Sequence, residues 1–324
     1  MPVAIRFTET GGPNVLHATE VDAVAPGLHE VVVDHKAIGV NYLDITQRNG
    51  AVKVPLPSGL GLEASGLVRA VGSGVTSCKV GDRVAYVLGP VGSYSDSRSI
   101  SADRIIPLPE EISFDAAATV LFKGITAQYL LKSTYKVDQG TVVLLYGVGG
   151  AVGQIMAPWA KHLGATVIGV VSKEASVERA RSVGCDKVLV WGQGDLAEQV
   201  AAFTDGQKAD VVYDGLGKLT FEASLNSLRP RGLMVSFGAS TGAPPPVDVG
   251  TLNAKGSLYL TRPGLAAHAT DLTEYRQRAT DVLNAASSGI FSSAHSKEFP
   301  LKEAAVAHEA IESGQSNGAV ILRP

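Results

Sequence analysis

A glycine-rich turn near the middle of the sequence could hold a phosphate group. The segment Val142–Tyr146 is continuously apolar, which is typical of a strand buried on both faces of a parallel sheet. It leads into the turn 147–153 and then into 153–163, whose apolar residues have helical spacing. Small residues let backbone N–H groups approach a pyrophosphate, and a helix N-terminus adds donors and a partial positive charge. The turn residues expected to contact a dinucleotide are Gly147, Gly150, Ala151, Val152 and Gly153.

The spacing of these glycines departs from the G-x-G-x-x-G pattern, because they recur every third residue. An alternative interpretation is that they serve only close packing of a helix on a strand. Their position at the start of a β-α-β unit favours the dinucleotide site.

The next apolar run, 166–171, ends at Ser172-Lys173, where the adenosine ribose of a dinucleotide would lie. Folds that prefer NAD usually place an acidic residue here to bind the ribose hydroxyls. A hydroxyl followed by a cation would instead accept a 2′-phosphate, which favours NADPH as the cofactor. Lys173 can also be read as a solvated residue in a first helical turn, and Glu174 reduces the local positive field.

Two later turns also follow predicted strands. Asp214-Gly215-Leu216-Gly217 follows 209–213, and Phe237-Gly238-Ala239-Ser240 begins at the last residue of 233–237. In open α/β sheets, ligands lie beyond the carboxyl ends of the strands. Both turns are therefore placed to border the cofactor, although each, read alone, is also compatible with an ordinary turn.

These motifs require a sheet that presents several strand ends at one edge. Before residue 113, short β-branched runs at 31–33, 37–40, 66–71 and 83–86 predict a compact β body. Ser113 is placed to cap a helix, and Pro158 predicts a kink in the helix 153–163. Strands are expected at 142–146, 166–171, 187–190, 209–213 and 233–237, and further helices at 173–183 and 272–287. This alternation predicts an α/β protein with a doubly wound parallel sheet, and the apolar run 319–322 is expected to return to the first domain.

Composition excludes several function classes. The chain has 324 residues and a net charge of -3, without the basic stripe that nucleic-acid binding requires. It contains no apolar run of about 18 residues, and its first residues lack the apolar core of a secretion signal. Cys78 and Cys185 lack partners at metal-ligand spacing, and reduced thiols in the cytoplasm are expected.

Motifs along essentially the whole chain resemble the quinone oxidoreductases of the zeta-crystallin type, within the medium-chain dehydrogenase/reductase superfamily. The matching segments are 11–13, 37–44, 59–66, 80–84, 123–127 and the glycine turn, which fits A-x-x-G-x-x-G with Gly147 in place of alanine. The resemblance implies a GroES-like β domain over 1–122, a Rossmann NADPH-binding domain over 123–262, and a return to the first domain over 263–324. It also implies that cofactor and substrate meet in a cleft between the domains.

The same resemblance implies a set of residues that contact NADPH. They are Asn41, Tyr42, Asp44, Tyr129, Ala151, Val152, Ser172, Lys173, Ser176, Trp191, Leu216, Phe237, Ser240 and Arg262. Relatives often have a basic residue at the place of Ser176 and a tyrosine at that of Trp191. The 2′-phosphate pocket is therefore expected to hold fewer cations than usual.

Zinc alcohol dehydrogenases of this superfamily use a cysteine and a histidine at the places of Asn41 and Leu62. Leucine cannot bind zinc, which needs about three N, S or O ligands, so no metal is expected. A quinone is already a strong acceptor, and the protein need only orient it and exclude water. Asn41 and Thr126 are candidates to hydrogen-bond its carbonyl or the cofactor carboxamide, and Lys123 to stabilise the developing oxyanion. The alternatives are a buried, satisfied amide for Asn41 and a surface lysine for Lys123.

The sequence thus predicts an NADPH-dependent reductase of quinones. An alkenal or enone reductase and a non-catalytic NADPH-binding protein are the alternatives. The apolar segment 256–261 ends the series of Rossmann strands, and an edge strand of this kind predicts a homodimer.

Overall fold

The computed structural model describes all 324 residues and divides into two compact units. Unit 1 comprises residues 1–123, 271–287 and 293–324, and unit 2 comprises residues 124–270 and 288–292. No helix is both long and apolar enough to cross a membrane.

Unit 1 contains the β body that the sequence predicts before residue 113. Its strands are β1 (Val3–Phe7), β2 (His17–Glu20), β3 (Glu30–Val40), β4 (Ser58–Gly59), β5 (Glu63–Val71), β6 (Arg83–Val87), β7 (Ser97–Ser101), β8 (Ile105–Pro107), β15 (Lys297–Pro300) and β16 (Val320–Arg323). A small sheet has the order β2-β1-β4, and a larger one has the order β15-β16-β3-β5-β6-β8, with β7 also paired to β3. β16, near the end of the chain, pairs antiparallel with β3 of the same sheet.

The runs 31–33 and 37–40 belong to a single strand, which corrects the prediction of two strands. β3 continues through both, and its pairing with β5 shifts register between Val32 and Val33 and between His35 and Ala37. These irregularities explain the break in the sequence pattern, because each extra residue changes which face the following side chains occupy. The buried faces of both sheets surround one apolar core that includes Phe7, Val33 and Tyr94.

Unit 2 contains six parallel strands in the order β11-β10-β9-β12-β13-β14. They are β9 (Val142–Tyr146), β10 (Thr166–Val171), β11 (Lys187–Val190), β12 (Ala209–Asp214), β13 (Leu228–Ser236) and β14 (Tyr259–Thr261). Numbered within the unit, the order is 3-2-1-4-5-6, that of the Rossmann fold. The predicted doubly wound sheet is therefore confirmed.

Nine α-helices connect and cover the sheets. They are α1 (Tyr42–Arg48), α2 (Phe114–Tyr129), α3 (Gly153–His162), α4 (Val177–Ser182), α5 (Leu196–Phe203), α6 (Phe221–Asn226), α7 (Val249–Ala254), α8 (Leu272–Ser287) and α9 (Ala304–Glu312). Ser113 Oγ accepts a hydrogen bond from the Ala116 N–H at 3.0 Å, which confirms the predicted cap. The helix predicted over 173–183 is shorter, because a 3-10 turn at Glu174–Ser176 precedes α4.

Two segments expected in the C-terminal return lie instead with unit 2, namely 263–270 and 288–292. Aromatic contacts account for this difference. His268 stacks on Tyr129 with ring centroids 4.2 Å apart, and Phe291 packs on Trp159 at 5.5 Å. Such ring pairs stabilise packing beyond the area they bury.

Candidate active site

A buried carboxylate, Glu63, organises the polar residues of unit 1. Its Oε1 accepts hydrogen bonds from Asn41 Nδ2 at 2.8 Å and Lys123 Nζ at 2.9 Å, and its Oε2 accepts the Phe122 N–H at 3.0 Å. Glu63 is 0% exposed and Lys123 is 3% exposed. We call these four residues the Glu63 cluster. A buried charge persists only when it is paired and hydrogen-bonded, and each member here supplies part of that requirement.

Three elements bring the Glu63 cluster together. Asn41 precedes the first turn of α1, Glu63 begins β5, and Lys123 lies in the interior of α2. Gly39 leaves the space that the carboxylate fills, because a Cβ there would lie 2.0 Å from Glu63 Oε1 and 2.4 Å from the Ala118 carbonyl. These positions test the two alternative interpretations, a buried amide for Asn41 and a surface lysine for Lys123. Asn41 is indeed a buried amide, and Lys123 is not a surface lysine.

Asp44 extends this polar region through a second chain of hydrogen bonds. Its Oδ2 accepts the Asn41 N–H at 2.8 Å and the Tyr94 hydroxyl at 3.0 Å. The Tyr94 oxygen also contacts His308 Nε2 at 3.1 Å, and His308 Nδ1 lies 3.3 Å from Arg48 Nη1. Because a guanidinium group can only donate hydrogen bonds, His308 Nδ1 is the acceptor and His308 Nε2 carries the ring proton. Burial, reinforced by the Arg48 charge, lowers the pKa of His308 to about 3, so this ring stays neutral.

The environment of Asp44 favours its protonated form. The carboxyl is fully buried, and its Oδ1 has no hydrogen-bond partner. Burial raises the pKa of Asp44 to about 7, and the nearby Glu63 charge contributes to the increase. Its neighbour Tyr42 is by contrast exposed at the start of α1.

Helix α2 carries three of the predicted site residues. Lys123 is the last residue of unit 1 before the boundary, and Thr126 and Tyr129 follow it in unit 2. Thr126 and Tyr129 are both buried, and Tyr129 stacks on His268.

The glycine turn in unit 2 has the geometry that a bound pyrophosphate needs. Gly147 has φ +66°, a left-handed conformation that favours glycine. A Cβ on Gly153 would lie 2.4 Å from the Gly147 carbonyl, so the turn closes only around glycine. Val152 precedes α3 without a side-chain cap, and the N–H of Gln154 in the first turn donates to the Gly150 carbonyl at 3.0 Å. The turn therefore fits a phosphate-bearing cofactor.

The turns after β12 and β13 are shaped by a buried aspartate. Asp214 Oδ1 accepts the N–H groups of Leu216 and Gly217 at 2.8 and 2.9 Å. Its Oδ2 accepts the hydroxyls of Thr220 and Ser224 at 2.8 and 2.9 Å. The carboxylate thus fixes the backbone of this turn.

The turn after β13 packs directly against the turn after β12. The Phe237 ring lies 3.1 Å from the position that a Cβ on Gly215 would occupy, and a Cβ on Gly238 would lie 2.6 Å from the Gly215 carbonyl. Ser240 is exposed, and Arg262 donates to Ser236 Oγ at 3.2 Å. These residues lie together at the carboxyl edge of the sheet, where ligands of open α/β sheets bind.

The residues expected at the adenosine end lie at the same edge. Ser172 and Lys173 are exposed immediately after β10, whereas the Ser176 side chain is buried. Trp191 follows β11 and packs edge-on against Tyr146, with centroids 6.1 Å apart. The six-stranded sheet thus brings the unit 2 candidates to one edge.

Two residues that matter to this arrangement were not predicted as site residues. Glu63 lies in the matching segment 59–66. A charged residue within an apolar strand pattern was the sequence signal that could have identified it. Asp214 had the same signal at the end of a buried strand.

Comparisons with known proteins cover the whole chain. Residues 27–110 match the alcohol dehydrogenase GroES-like domain, and residues 151–266 match the family described as zinc-binding dehydrogenase. The chain is 42% identical over 327 residues to quinone oxidoreductase 1 of Escherichia coli (strain K12), with 100% of each chain covered. It is 40% identical over 332 residues to a 2-haloacrylate reductase of Burkholderia sp, covering 100% of this chain and 99% of that protein. The solved structure of Escherichia coli quinone oxidoreductase complexed with NADPH matches with a TM-score of 0.96 and 42% identity, covering 99% of this chain and 100% of that one.

The description of the second family implies a zinc ion, but the residues here do not fit one. The Asn41 amide is engaged with Glu63, and Leu62 is buried and has no ligand atom. No group of three or more His, Cys, Asp or Glu side chains is placed to hold a metal ion. Zinc independence remains a prediction, for which metal analysis of the purified protein is the test.

Proposed function

Because the chain belongs to the quinone oxidoreductase family of the medium-chain dehydrogenase/reductase superfamily, we propose that it is an enzyme that reduces quinones with NADPH. The observation that carries this proposal is the full-length match to a quinone oxidoreductase whose structure contains NADPH. The glycine turn supports the cofactor independently, since its small residues suit the close approach of backbone N–H groups to a phosphate.

The roles of the individual residues are part of the proposal. When bound, NADPH supplies the reducing equivalents. Its pyrophosphate lies on the turn formed by Gly147, Gly150, Ala151, Val152 and Gly153, and the adenosine end lies at Ser172, Lys173, Ser176 and Trp191. The remaining contacts come from Asn41, Tyr42, Asp44, Tyr129, Leu216, Phe237, Gly238, Ser240 and Arg262.

The Glu63 cluster supports the chemistry on the substrate side. The Asn41 amide and the Thr126 hydroxyl orient a carbonyl oxygen of the quinone or the cofactor carboxamide. Lys123 stabilises the negative charge that develops on the quinone oxygen. Glu63 acts as a positioning residue, because it fixes both Asn41 and Lys123 by hydrogen bonds below 3.0 Å.

A second candidate activity is the reduction of an activated carbon–carbon double bond next to a carbonyl. The 40% identity to a 2-haloacrylate reductase favours this alternative. Both activities need the same cofactor and an acceptor whose oxygen gains negative charge. The same residues would therefore serve either substrate.

A homodimer and a cytoplasmic location complete the proposal. β14 forms an edge of the six-stranded sheet, and Tyr259 on it is 61% exposed. The strand covers only 259–261, because Gly256 and Ser257 adopt positive φ values of 105° and 56° and turn the chain. A second copy pairing with β14 would continue the sheet. Light scattering that gives a monomer mass at every concentration would contradict the dimer.

The decisive experiment measures NADPH oxidation by the purified protein with a panel of quinones and a panel of enones and 2-haloacrylate. Turnover with quinones that exceeds turnover with the enones supports the proposed function. The reverse ranking assigns the second activity, and binding of NADPH without turnover on either panel indicates a non-catalytic protein. Treatment with a chelator should leave the rate unchanged.

A further inference from the structure

The side chain of Arg179 lies beside the glycine turn. Its Nε and Nη2 atoms are each 3.8 Å from the position that a Cβ on Gly149 would occupy, and Cζ is 3.9 Å from it. Arg179 belongs to α4, which follows β10, whereas Gly149 follows β9. Because β9 and β10 are adjacent parallel strands, the arginine reaches from one strand end to the next.

Few of the residues near Arg179 carry a positive charge that could bind a phosphate group. Ser176, three residues earlier, is buried and uncharged. Residues three apart lie on the same face of a helix, so Arg179 presents a cation one turn further along the face of Ser176. The exposed pair Ser172-Lys173 lies at the same edge of the sheet.

We propose that Arg179 recognises the 2′-phosphate of NADPH and sets the preference for NADPH over NADH in this protein. A guanidinium group can form two parallel hydrogen bonds to a phosphate, which a serine hydroxyl cannot. This inference rests on the proposed function, since it assumes that the dinucleotide lies on the glycine turn. It assigns the recognition of the phosphate to α4 rather than to Ser172 and Lys173 alone.

Arg181 provides a matched control on the same helix. It lies two residues further, so it points to a different face, and its Nη1 is 2.6 Å from Glu178 Oε1. Its side chain is 61% exposed. A loss caused by the general removal of positive charge from α4 would appear in both arginine variants.

The experiment titrates NADPH and NADH by nicotinamide fluorescence in the wild type, Arg179→Gln and Arg181→Gln. We expect Arg179→Gln to weaken NADPH binding by about ten- to a hundredfold, as for charge-assisted hydrogen bonds, and to leave NADH binding within about twofold. Arg181→Gln should change neither. The salt dependence of NADPH binding should also become shallower in Arg179→Gln. Adding Ser176→Lys to Arg179→Gln should restore part of the NADPH affinity.

Two results would overturn the inference. Equal weakening of NADPH and NADH would place the guanidinium on the shared pyrophosphate, and unchanged NADPH binding would remove any role for it. Failure of the proposed function gives a different result, because the wild type itself would then bind no NADPH or would prefer NADH. That outcome would contradict the inference as well.

Discussion

The Glu63 cluster and the carboxyl edge of the parallel sheet hold their functional groups in different ways. In the cluster, a buried carboxylate accepts hydrogen bonds from an amide, a backbone N–H and an ammonium group at 2.8–3.0 Å. At the sheet edge, backbone turns present the candidate residues, and Ser172 and Lys173 remain exposed. Substitutions in the cluster should therefore change stability and activity together, whereas substitutions of the exposed Ser172 and Lys173 should change only ligand binding.

The strongest test of this difference removes the cation from the cluster. Lys123→Met leaves Glu63 buried without its ion pair, which should cost about 3–5 kcal/mol in the free energy of unfolding. Lys161→Met is a matched control, because its ion pair with Asp186 is 48% and 29% exposed. It should cost no more than about 1 kcal/mol. Urea unfolding of both variants gives the comparison, and equal losses would contradict a special role for burial.

Adding a methyl group at Gly39 tests the space that the cluster occupies. Gly39→Ala should lower the free energy of unfolding by about 3 kcal/mol, because its Cβ would overlap Glu63 Oε1 and the Ala118 carbonyl. Gly264→Ala serves as the control, since no atom lies within 4 Å of its Cβ position. Thermal unfolding should separate the two variants, and NADPH binding per folded molecule should be unchanged in the control. If Gly39→Ala is as stable as Gly264→Ala, the packing argument fails.

At the sheet edge, Ser172→Asp should change cofactor choice without changing stability. A carboxylate would repel the 2′-phosphate and offer the NADH ribose an acceptor. We expect NADPH affinity to fall by about tenfold or more, because a charge-assisted hydrogen bond is worth roughly 1.5–3 kcal/mol. The thermal midpoint should stay within about two degrees of wild type. A retained NADPH preference in fluorescence titrations would show that the phosphate lies elsewhere.

The smallest expected effect is the pH dependence contributed by Asp44. Its pKa of about 7 in the folded protein lies above the ordinary value of 3.8, so the folded state holds a proton that the unfolded state has lost. The stability contributed by this group is full below pH 4 and declines as pH rises to about 7. Between pH 6 and 7 the decline is at most about 1.4 kcal/mol.

Asp44→Asn isolates the pH-dependent contribution of Asp44 to stability, because the substituted amide does not titrate. The thermal midpoint of the variant, relative to wild type, should rise by about one to two degrees from pH 6 to pH 7. His35 and His308 have pKa values lowered by burial, but both remain in each protein and cancel in the difference. A constant difference between the two proteins across this range would contradict the raised pKa of Asp44.

Much of unit 2 could be predicted because its signals are local. A strand that is buried on both faces reads as a continuous apolar run, and β9 and β10 have the predicted bounds. The glycine turn was equally visible, since only small residues allow the close backbone approach at Gly147 and Gly153. The matching motifs then indicated the family and hence the GroES-like domain.

The sequence by itself therefore determined the fold class, the cofactor turn and the family, because each depends on neighbouring residues or on the order of motifs. Only the tertiary structure decided that Glu63 would bind Lys123, 60 positions away, and that Arg179 rather than Arg181 would face the glycine turn. It also joined the runs 31–33 and 37–40 into β3 through its pairing with β5. The physical reason is common to all three. Burial, ion pairing and strand register depend on which distant segments pack together, and no local pattern records that choice.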